Sequence, residues 1–528
     1  MSSAEQIKNG KAVIGIEFGS TRIKAVLIGE DHSPLAAGIH DWQNELLDGV
    51  WTYSLENVKI GLQECFADLM KNVEKNYSVK LEKAAGIGIS AMMHGYLAFD
   101  ENDQQLVPFR TWRNTMTEEA ADKLTETFAF NIPQRWSIAH LYQAVLNNEP
   151  HIGRLAFITT LAGYVHYLLT GEKTIGAGDA SGIFPIDPQT CDYDMDMVAK
   201  FDELAAGTEL RRNLRELLPR IVAAGECAGK LTEEGARLLD PTGTFKAGVA
   251  FCPPEGDAQT GMAATNSITP KTGNVSAGTS IFSMIVLERN LSAVHREIDI
   301  VTTPCGAPVA MVHCNSCTSD LDAWFSMFGG LLKEFGLDIP KGKLYDTMYS
   351  LAAEGSADCD GIVSYNYYAG EPVTGIKDGR PLLMRSPDSD FSIKNLARSL
   401  VYSCVASLKA GMDILTEQEH VKLERIYAHG GFFKTPFPSQ NFLAAALGSD
   451  VTLMKTAGEG GAWGIALLAA YMVNKSSGES LETYLSSRVF ADMVGSTVSP
   501  KQEDIDGINA YMKKYLSGLS AVRAAVSE

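Results

Sequence analysis

The chain has 528 residues, 45% hydrophobic and 21% charged, the balance of an ordinary soluble globular protein with length for two large domains. Its net charge of -19 leaves no basic excess to release counterions from a nucleic-acid backbone, which argues against such a partner. Residues 1–11 hold no apolar signal core, the longest apolar run (460–473) is too short to span a bilayer, and the odd, scattered set of 9 cysteines suits reduced thiols, so a cytoplasmic protein without a membrane partner is expected.

In chain order, residues 12–30 come first. Two apolar runs, 12–16 and 23–28, flank Glu17-Phe18-Gly19-Ser20-Thr21-Arg22, a pattern that predicts a β-hairpin around a Gly-centred turn. Gly19 lets backbone approach a ligand, Ser20 and Thr21 offer hydroxyls and amides, Glu17 adds a carboxylate, and Arg22 and Lys24 add positive charge. Such a turn can hold a phosphate and a metal-bound water; it can equally be an ordinary hairpin with a polar tip. Residues 55–77 carry Val58, Leu62, Phe66, Leu69 and Val73 at helical spacing, which predicts a core-packed helix. Residues 83–100 read as strand, turn and strand, with Met93-His94-Gly95 in the turn. Gln134-Arg135-Trp136-Ser137 opens a helix ending near Asn147. Residues 161–187 contain Leu169-Thr170-Gly171 and Gly178-Asp179-Ala180-Ser181-Gly182. The GxG there lacks Rossmann spacing and is expected to have no strand directly before it, which rejects a dinucleotide site, and no Walker A motif occurs.

Residues 249–262 run from a strand through Pro253-Pro254-Glu255-Gly256 to Asp257 and a helix of small residues. A carboxylate at such a junction can reach into a cleft, and beside a helix N-terminus it is expected to stay ionised, as a general base must. The alternative role for Asp257 is an N-cap. Residues 273–288 repeat the first hairpin: a strand, Gly278-Thr279-Ser280, and a strand. A repeat half a chain away suggests duplicated domains facing each other across a cleft, with two phosphate-cradling turns forming a nucleotide site. Cys314-Asn315-Ser316-Cys317 is a single CxxC beside His313 and reads as structural. Further on, residues 315–324 open a helix with Trp324 in the core, 361–381 are rich in Gly and Tyr and form a loop-bearing segment near the cleft, and 392–415 form a long apolar helix. Residues 427–448 carry a strand, a Gly430-Gly431 turn and a helix. Residues 458–472 form a helix whose small side chains permit close packing, and 477–528 read as solvated helices.

The paired hairpins resemble those of the actin/hexokinase/Hsp70 ATPase superfamily and, within it, the chain is similar to the FGGY carbohydrate kinases over nearly its whole length. The resemblance implies an α/β fold: two actin-like ATPase (ribonuclease H-like) domains, residues 1–256 and 257–528, with mixed sheets flanked by helices and a cleft between them. It implies ATP and Mg²⁺, with phosphorylation of a small sugar or polyol such as the ketopentoses xylulose or ribulose, and a possible homodimer. Glu255-Gly256-Asp257 with Gly261 matches the family's Gly-Gly-Asp context, which makes Asp257 the base and a metal contact. Glu17 stands at the family's metal-orienting Asp. His94, in a turn where the family reads close to Gly-Gln-Met-His-Gly, and Trp112, Arg113 and Asn114, where the family has Trp-Asn-Asp-x-Arg, would form the sugar pocket. Met92 replaces that Gln. Asp179 either touches substrate or caps a turn. ATP would contact Gly19, Ser20, Thr21 and Lys24 in the first domain. In the second it would contact Gly278, Thr279, Ser280, Gly430, Gly431 and Asn441. Tyr402, Asn441 and Ala445 stand where the family has Glu, Gln and Asp. Glu17 keeps a competing reading open, a non-catalytic sugar- or nucleotide-binding protein. A partner-driven ATPase is a third, opposed by Met93-His94-Gly95 and Trp112.

Overall fold

The computed structural model describes residues 1–454, 460–491, 493 and 495–526. The start of the helix expected over 458–472 and parts of the expected tail therefore lie outside the described residues. Contacts divide the chain into two compact units, Met1–Ile268 with Ile300–Val309 and Glu459–Asp492, and Thr269–Asp299 with Ala310–Gly458 and Met493–Glu528. The sequence suggested a single cut between residues 256 and 257. The units instead exchange segments: helix Asp257–Ala264 continues the first unit, and helix Gly460–Asn474 returns to that unit's sheet.

In the first unit, β1 (Val13–Phe18) and β2 (Arg22–Ile28) form the expected antiparallel hairpin, and β3 (Pro34–Asp41) extends it. On its other side β1 pairs in parallel with β4 (Gly86–Ala91), aligning Glu17 with Ser90. Beyond β4 lie β5 (Gly229–Lys230) and β6 (Ala250–Phe251), while β7 (Glu255–Gly256) runs parallel to the end of β4, aligning Glu255 with Ser90. The inner strands are apolar because both faces are covered. Helix Leu55–Tyr77 lies on one face, with Val58, Leu62, Phe66, Leu69 and Val73 fully buried. Each such side chain contributes roughly 1.5–3 kcal/mol through removal from water. Helix Gly460–Asn474 lies against β1 and β4. A short strand, Thr174–Gly176, does precede the GxG at 176–178, contrary to expectation. It leads into a helix of only four residues, Ala177–Ala180, so spacing alone rejects the dinucleotide reading.

The second unit repeats the hairpin. Strands β8 (Thr272–Ala277) and β9 (Ile281–Val286) are antiparallel, and β8 pairs in parallel with β11 (Arg425–His429), as β1 does with β4; β10 (Pro308–Cys314) lies beyond β9. The sheet continues through β12 (Asp450–Met454) and β13 (Gly495–Val498). Two expectations change here, for Trp324 and for the tail, and the loop-bearing 361–381 segment gains detail. Trp324 is half-buried, its Nε1 donating to Asp320 at 3.2 Å, and Phe325 takes the core position. The 361–381 segment contains strand Ile362–Tyr365, paired with Leu382–Arg385. The tail is not solvated on all sides: helix Gln502–Ala525 buries Tyr511 and Tyr515, and the Tyr515 and Tyr367 hydroxyls lie 2.6 Å apart. Its apolar residues recur at a helical period that mixed polar neighbours obscure.

Candidate active site

Parallel strands end together, and their carboxyl ends are where ligands bind in α/β sheets. In the first unit β1, β4 and β7 end side by side, which gathers Glu17, the Met93-His94-Gly95 turn and Asp257 from three distant parts of the chain. Asp257 is the first residue of its helix and Gly256 is the cap, so the N-cap alternative does not hold. Its Oδ1 accepts the Met93 backbone N–H at 3.2 Å. Burial pushes the Asp257 carboxyl up to about 6, against the pull of the Met93 and Ala258 amides. Desolvation thus outweighs the helix terminus, yet a carboxyl at about 6 stays mostly ionised at neutral pH, as expected.

Burial, with repulsion from Asp257 second, pushes Glu17 up to about 7, opposed by the Ala462 amide and Lys24. Lys24 faces Glu17 across the hairpin. The Ala462 N–H, near the start of helix Gly460–Asn474, donates to Glu17 Oε2 at 3.1 Å. Such an amide has no acceptor within its own helix. A Cβ at Gly461 would stand 2.2 Å from Glu17 Oε1; only glycine lets the helix end approach. Two mutually repelling carboxylates suit a small hard cation. Mg²⁺ is held through one or two carboxylates plus phosphates rather than an all-protein cage. Among the described residues no cluster of three His, Cys, Asp or Glu side chains forms such a cage.

His94 and Gly95 both have left-handed backbones, φ 68° and 93°. The turn is locked from behind: the Ser137 hydroxyl donates to Gly95 O, and the His94 ring lies 3.3 Å from Gly182 O through Nδ1 and stacks 6.1 Å from Trp136. Asp179 is fully buried in the Ala177–Ala180 turn, where Oδ2 accepts the Thr160 hydroxyl at 2.6 Å and Oδ1 has no partner among the described residues. Burial pushes it up to about 7. Glu255, also buried, accepts the Asp179 amide at 2.8 Å; burial and then Asp179 push its carboxyl well above the usual range.

The other expected sugar contacts are placed differently. Trp112 is half-buried against the core, and Arg113 is exposed with its guanidinium 4.0 Å above the Trp51 ring. Asn114 is buried, and its carboxamide bonds the Trp51 amide and carbonyl, at 2.9 and 2.8 Å, and the Thr111 carbonyl. It pins strand Val50–Thr52. The tip of the first hairpin, with Gly19 and Ser20 half-buried and Thr21 exposed, is held by Trp42 and Tyr53, stacked 4.2 Å apart. Sequence reading missed both, along with Thr160, Glu255, Gly461 and Ala462. For Glu255 the signal was an acid between a buried apolar strand with two prolines and a helix of small residues; for Gly461, paired glycines opening a helix.

In the second unit Gly278, Thr279 and Gly431 line a cavity of about 590 Å³ together with Tyr349, Phe432 and Lys434. Gly430 has φ 110°, and a Cβ there would stand 2.2 Å from Ala277 O, so its backbone tolerates no side chain. Ser280 is half-buried beside the turn, and Asn441 is exposed on helix Pro436–Leu447, outside the cavity lining. Cys314 and Cys317 are buried free thiols.

Two mixed sheets that each open with a Gly-hydroxyl hairpin, one of them ending beside a paired-carboxylate site, define a two-domain kinase of the actin-like ATPase type. Residues 12–262 match the N-terminal domain, and residues 273–473 the C-terminal domain, of the FGGY family of carbohydrate kinases. The chain belongs to that family and is a sugar kinase. It is 24% identical over 469 residues to a xylulose kinase from Haemophilus influenzae, covering 87% of this chain and 89% of the relative. It is 21% identical over 530 residues to a gluconokinase from Bacillus licheniformis, covering 96% and 95%. A ligand-bound xylulose kinase structure from Lactobacillus acidophilus superposes with a TM-score of 0.78 at 16% identity over 98% of this chain and 99% of that one.

Proposed function

We propose that this kinase transfers the γ-phosphoryl group of ATP to a hydroxyl of a ketopentose such as xylulose or ribulose, with Asp257 as general base. The observation that carries the reading is Asp257 itself: a carboxyl near pH 6, fixed by the amide of the turn that bears His94. A base of that pKa is mostly ionised at neutral pH and accepts the hydroxyl proton as the O–P bond forms. His94 and the buried Asp179 are the polar groups we assign to sugar hydroxyls; Trp112 and Arg113 would border them. A site built to bond hydroxyls rejects sugars lacking them. The ketopentose assignment is supported by the H. influenzae relative, and the B. licheniformis relative makes gluconate the second candidate.

Glu17 and Asp257 would hold Mg²⁺, which when bound neutralises charge on the phosphates. Gly19, Ser20, Thr21 and Lys24 of the first unit, and Gly278, Thr279 and Ser280 of the second, would bind phosphate oxygens. The cavity beside Gly430 and Gly431 would take the adenosine, with Asn441 at most peripheral. A coupled ADP-release assay with ATP·Mg against ketopentoses, aldoses, polyols and sugar acids tests the proposal. Release stimulated by xylulose or ribulose above all others supports it; a preference for gluconate replaces the substrate class; ATP turnover indifferent to every sugar removes the reading.

A further inference from the structure

The two hairpin turns share a feature beyond their Gly-hydroxyl sequence: the scaffold occupies their carbonyl oxygens. In the first turn the Trp42 indole Nε1–H donates to Gly19 O at 2.7 Å, the Tyr53 hydroxyl to Ser20 O at 2.7 Å, and the Trp42 amide to Thr21 O at 3.1 Å. Three successive carbonyls therefore point back into the unit. In the second turn Gly278 O accepts both the Thr318 amide, at 3.1 Å, and the Thr318 hydroxyl, at 2.9 Å, and Thr279 O accepts the Cys317 amide at 2.9 Å. The donors differ completely. One set is an aromatic pair from β3's end and a loop; the other is the start of helix Thr318–Glu334. The outcome is the same in two units related by an internal repeat.

The physical consequence is direct. A turn binds an anion through its amides, and each carbonyl left facing the ligand would repel it. Tying the carbonyls back turns the peptide planes, because amide and carbonyl of one plane point in opposite directions. The amides of Ser20, Thr21, Thr279 and Ser280 donate to no acceptor among the described residues. The second tether is itself braced. The Asn366 side chain donates to Cys317 O at 2.9 Å, and buried Glu371 accepts the Asn315 amide at 3.0 Å.

We infer that Tyr53 and Thr318 (with Trp42) are positioning residues that orient the amides of the two turns toward the phosphates of ATP. This rests on the kinase reading above. The CxxC segment thereby gains a role as backbone support for the second turn rather than a redox or metal site.

The test compares binding of ATP·Mg and of adenosine, which carries no phosphate, to the full chain and to Tyr53→Phe, Thr318→Val and Thr318→Ser, with thermal midpoints recorded alongside. Tyr53→Phe and Thr318→Val each remove one hydroxyl in a different unit. Each is expected to weaken ATP about threefold to tenfold, the scale of one hydrogen bond; Tyr53→Phe should leave adenosine affinity at the wild-type value, and Thr318→Val, whose residue also lines the cavity, should weaken ATP more than adenosine. Thr318→Ser keeps the hydroxyl and should keep the wild-type ratio. Equal weakening of ATP and adenosine, or undiminished ATP affinity in both hydroxyl deletions, overturns the inference and leaves the kinase reading standing. A wild-type chain that binds no ATP overturns the kinase reading itself, and the inference with it.

Discussion

The backbone amide of Met93 donates to Oδ1 of Asp257 at 3.2 Å, joining residues 164 apart in sequence. The turn that presents His94 and the carboxylate assigned as base are therefore one rigid unit. A sugar held by the turn is delivered to the base without a further ordering step, the entropic part of catalysis.

The pH profile follows from Asp257. Burial raises its carboxyl from 3.8 to about 6, and only the ionised form accepts a proton. Sugar-dependent kcat/KM should fall about tenfold per pH unit below about 6, and the limb should lie there rather than near the ordinary Asp value. A pH series on the wild type checks this; a limb near 4 would detach the base from the desolvated site.

Glu17 and Gly461 form a second testable pair. Gly461→Ala places a methyl 2.2 Å from Glu17 Oε1 unless one of them moves. The displaced carboxylate should raise the Mg²⁺ concentration needed for half-maximal turnover by about tenfold or more, the scale of a misplacement of about 1 Å. Glu17→Gln should collapse turnover with little change in sugar binding. An unchanged Mg²⁺ dependence in both variants would take Glu17 out of the metal site.

Stability against pH carries a definite sign. The Glu17 carboxyl rises from 4.5 to about 7 on folding, so between those values the folded chain holds a proton that the unfolded chain has lost. Its contribution is fully present below about pH 4.5 and is lost as pH rises through about 7. In the absence of nucleotide, Glu17→Gln should match the wild type near pH 4 and exceed it by about 1–3 kcal/mol near pH 8. Denaturant melts at the two pH values measure this; a gap that narrows with rising pH contradicts it.

Asn114 separates a structural role from a recognition role. Its carboxamide holds both the amide and the carbonyl of Trp51, so Asn114→Ala should cost about 1–3 kcal/mol of stability by stranding them. The order of preference across the sugar panel should persist. A reordered panel at unchanged melting temperature would restore Asn114 to the sugar site.

Much of the fold was legible because it is written in local pattern. The 55–77 helix and both hairpins appear where periodicity and a central glycine put them, and the repeat between Gly19 and Gly278 disclosed the duplication. The segment exchange between units was not legible. It depends on helix Gly460–Asn474 returning to β1 across more than 400 residues, which no local pattern records, and Ala462–Glu17 is its chemical trace. That Asp257 and Glu17 stand at strand ends beside turns was legible from the residue pattern, but their pKa values were not, since burial is a tertiary property. The bonds from Asn114 to Trp51 were not legible, because a polar residue beside an aromatic suits a sugar pocket and a pinned backbone alike. The tethers Trp42, Tyr53 and Thr318 were invisible because they act on carbonyls, which every residue carries.

The most direct measurement is sugar-dependent ADP release by wild type and Asp257→Asn with the preferred sugar, alongside sugar binding by calorimetry. The account predicts a loss of about 10²- to 10⁴-fold in kcat, the contribution of a positioned base, with sugar affinity nearly unchanged. Turnover retained in Asp257→Asn, with sugar still bound, would contradict the assignment of Asp257 as the base and with it the central claim.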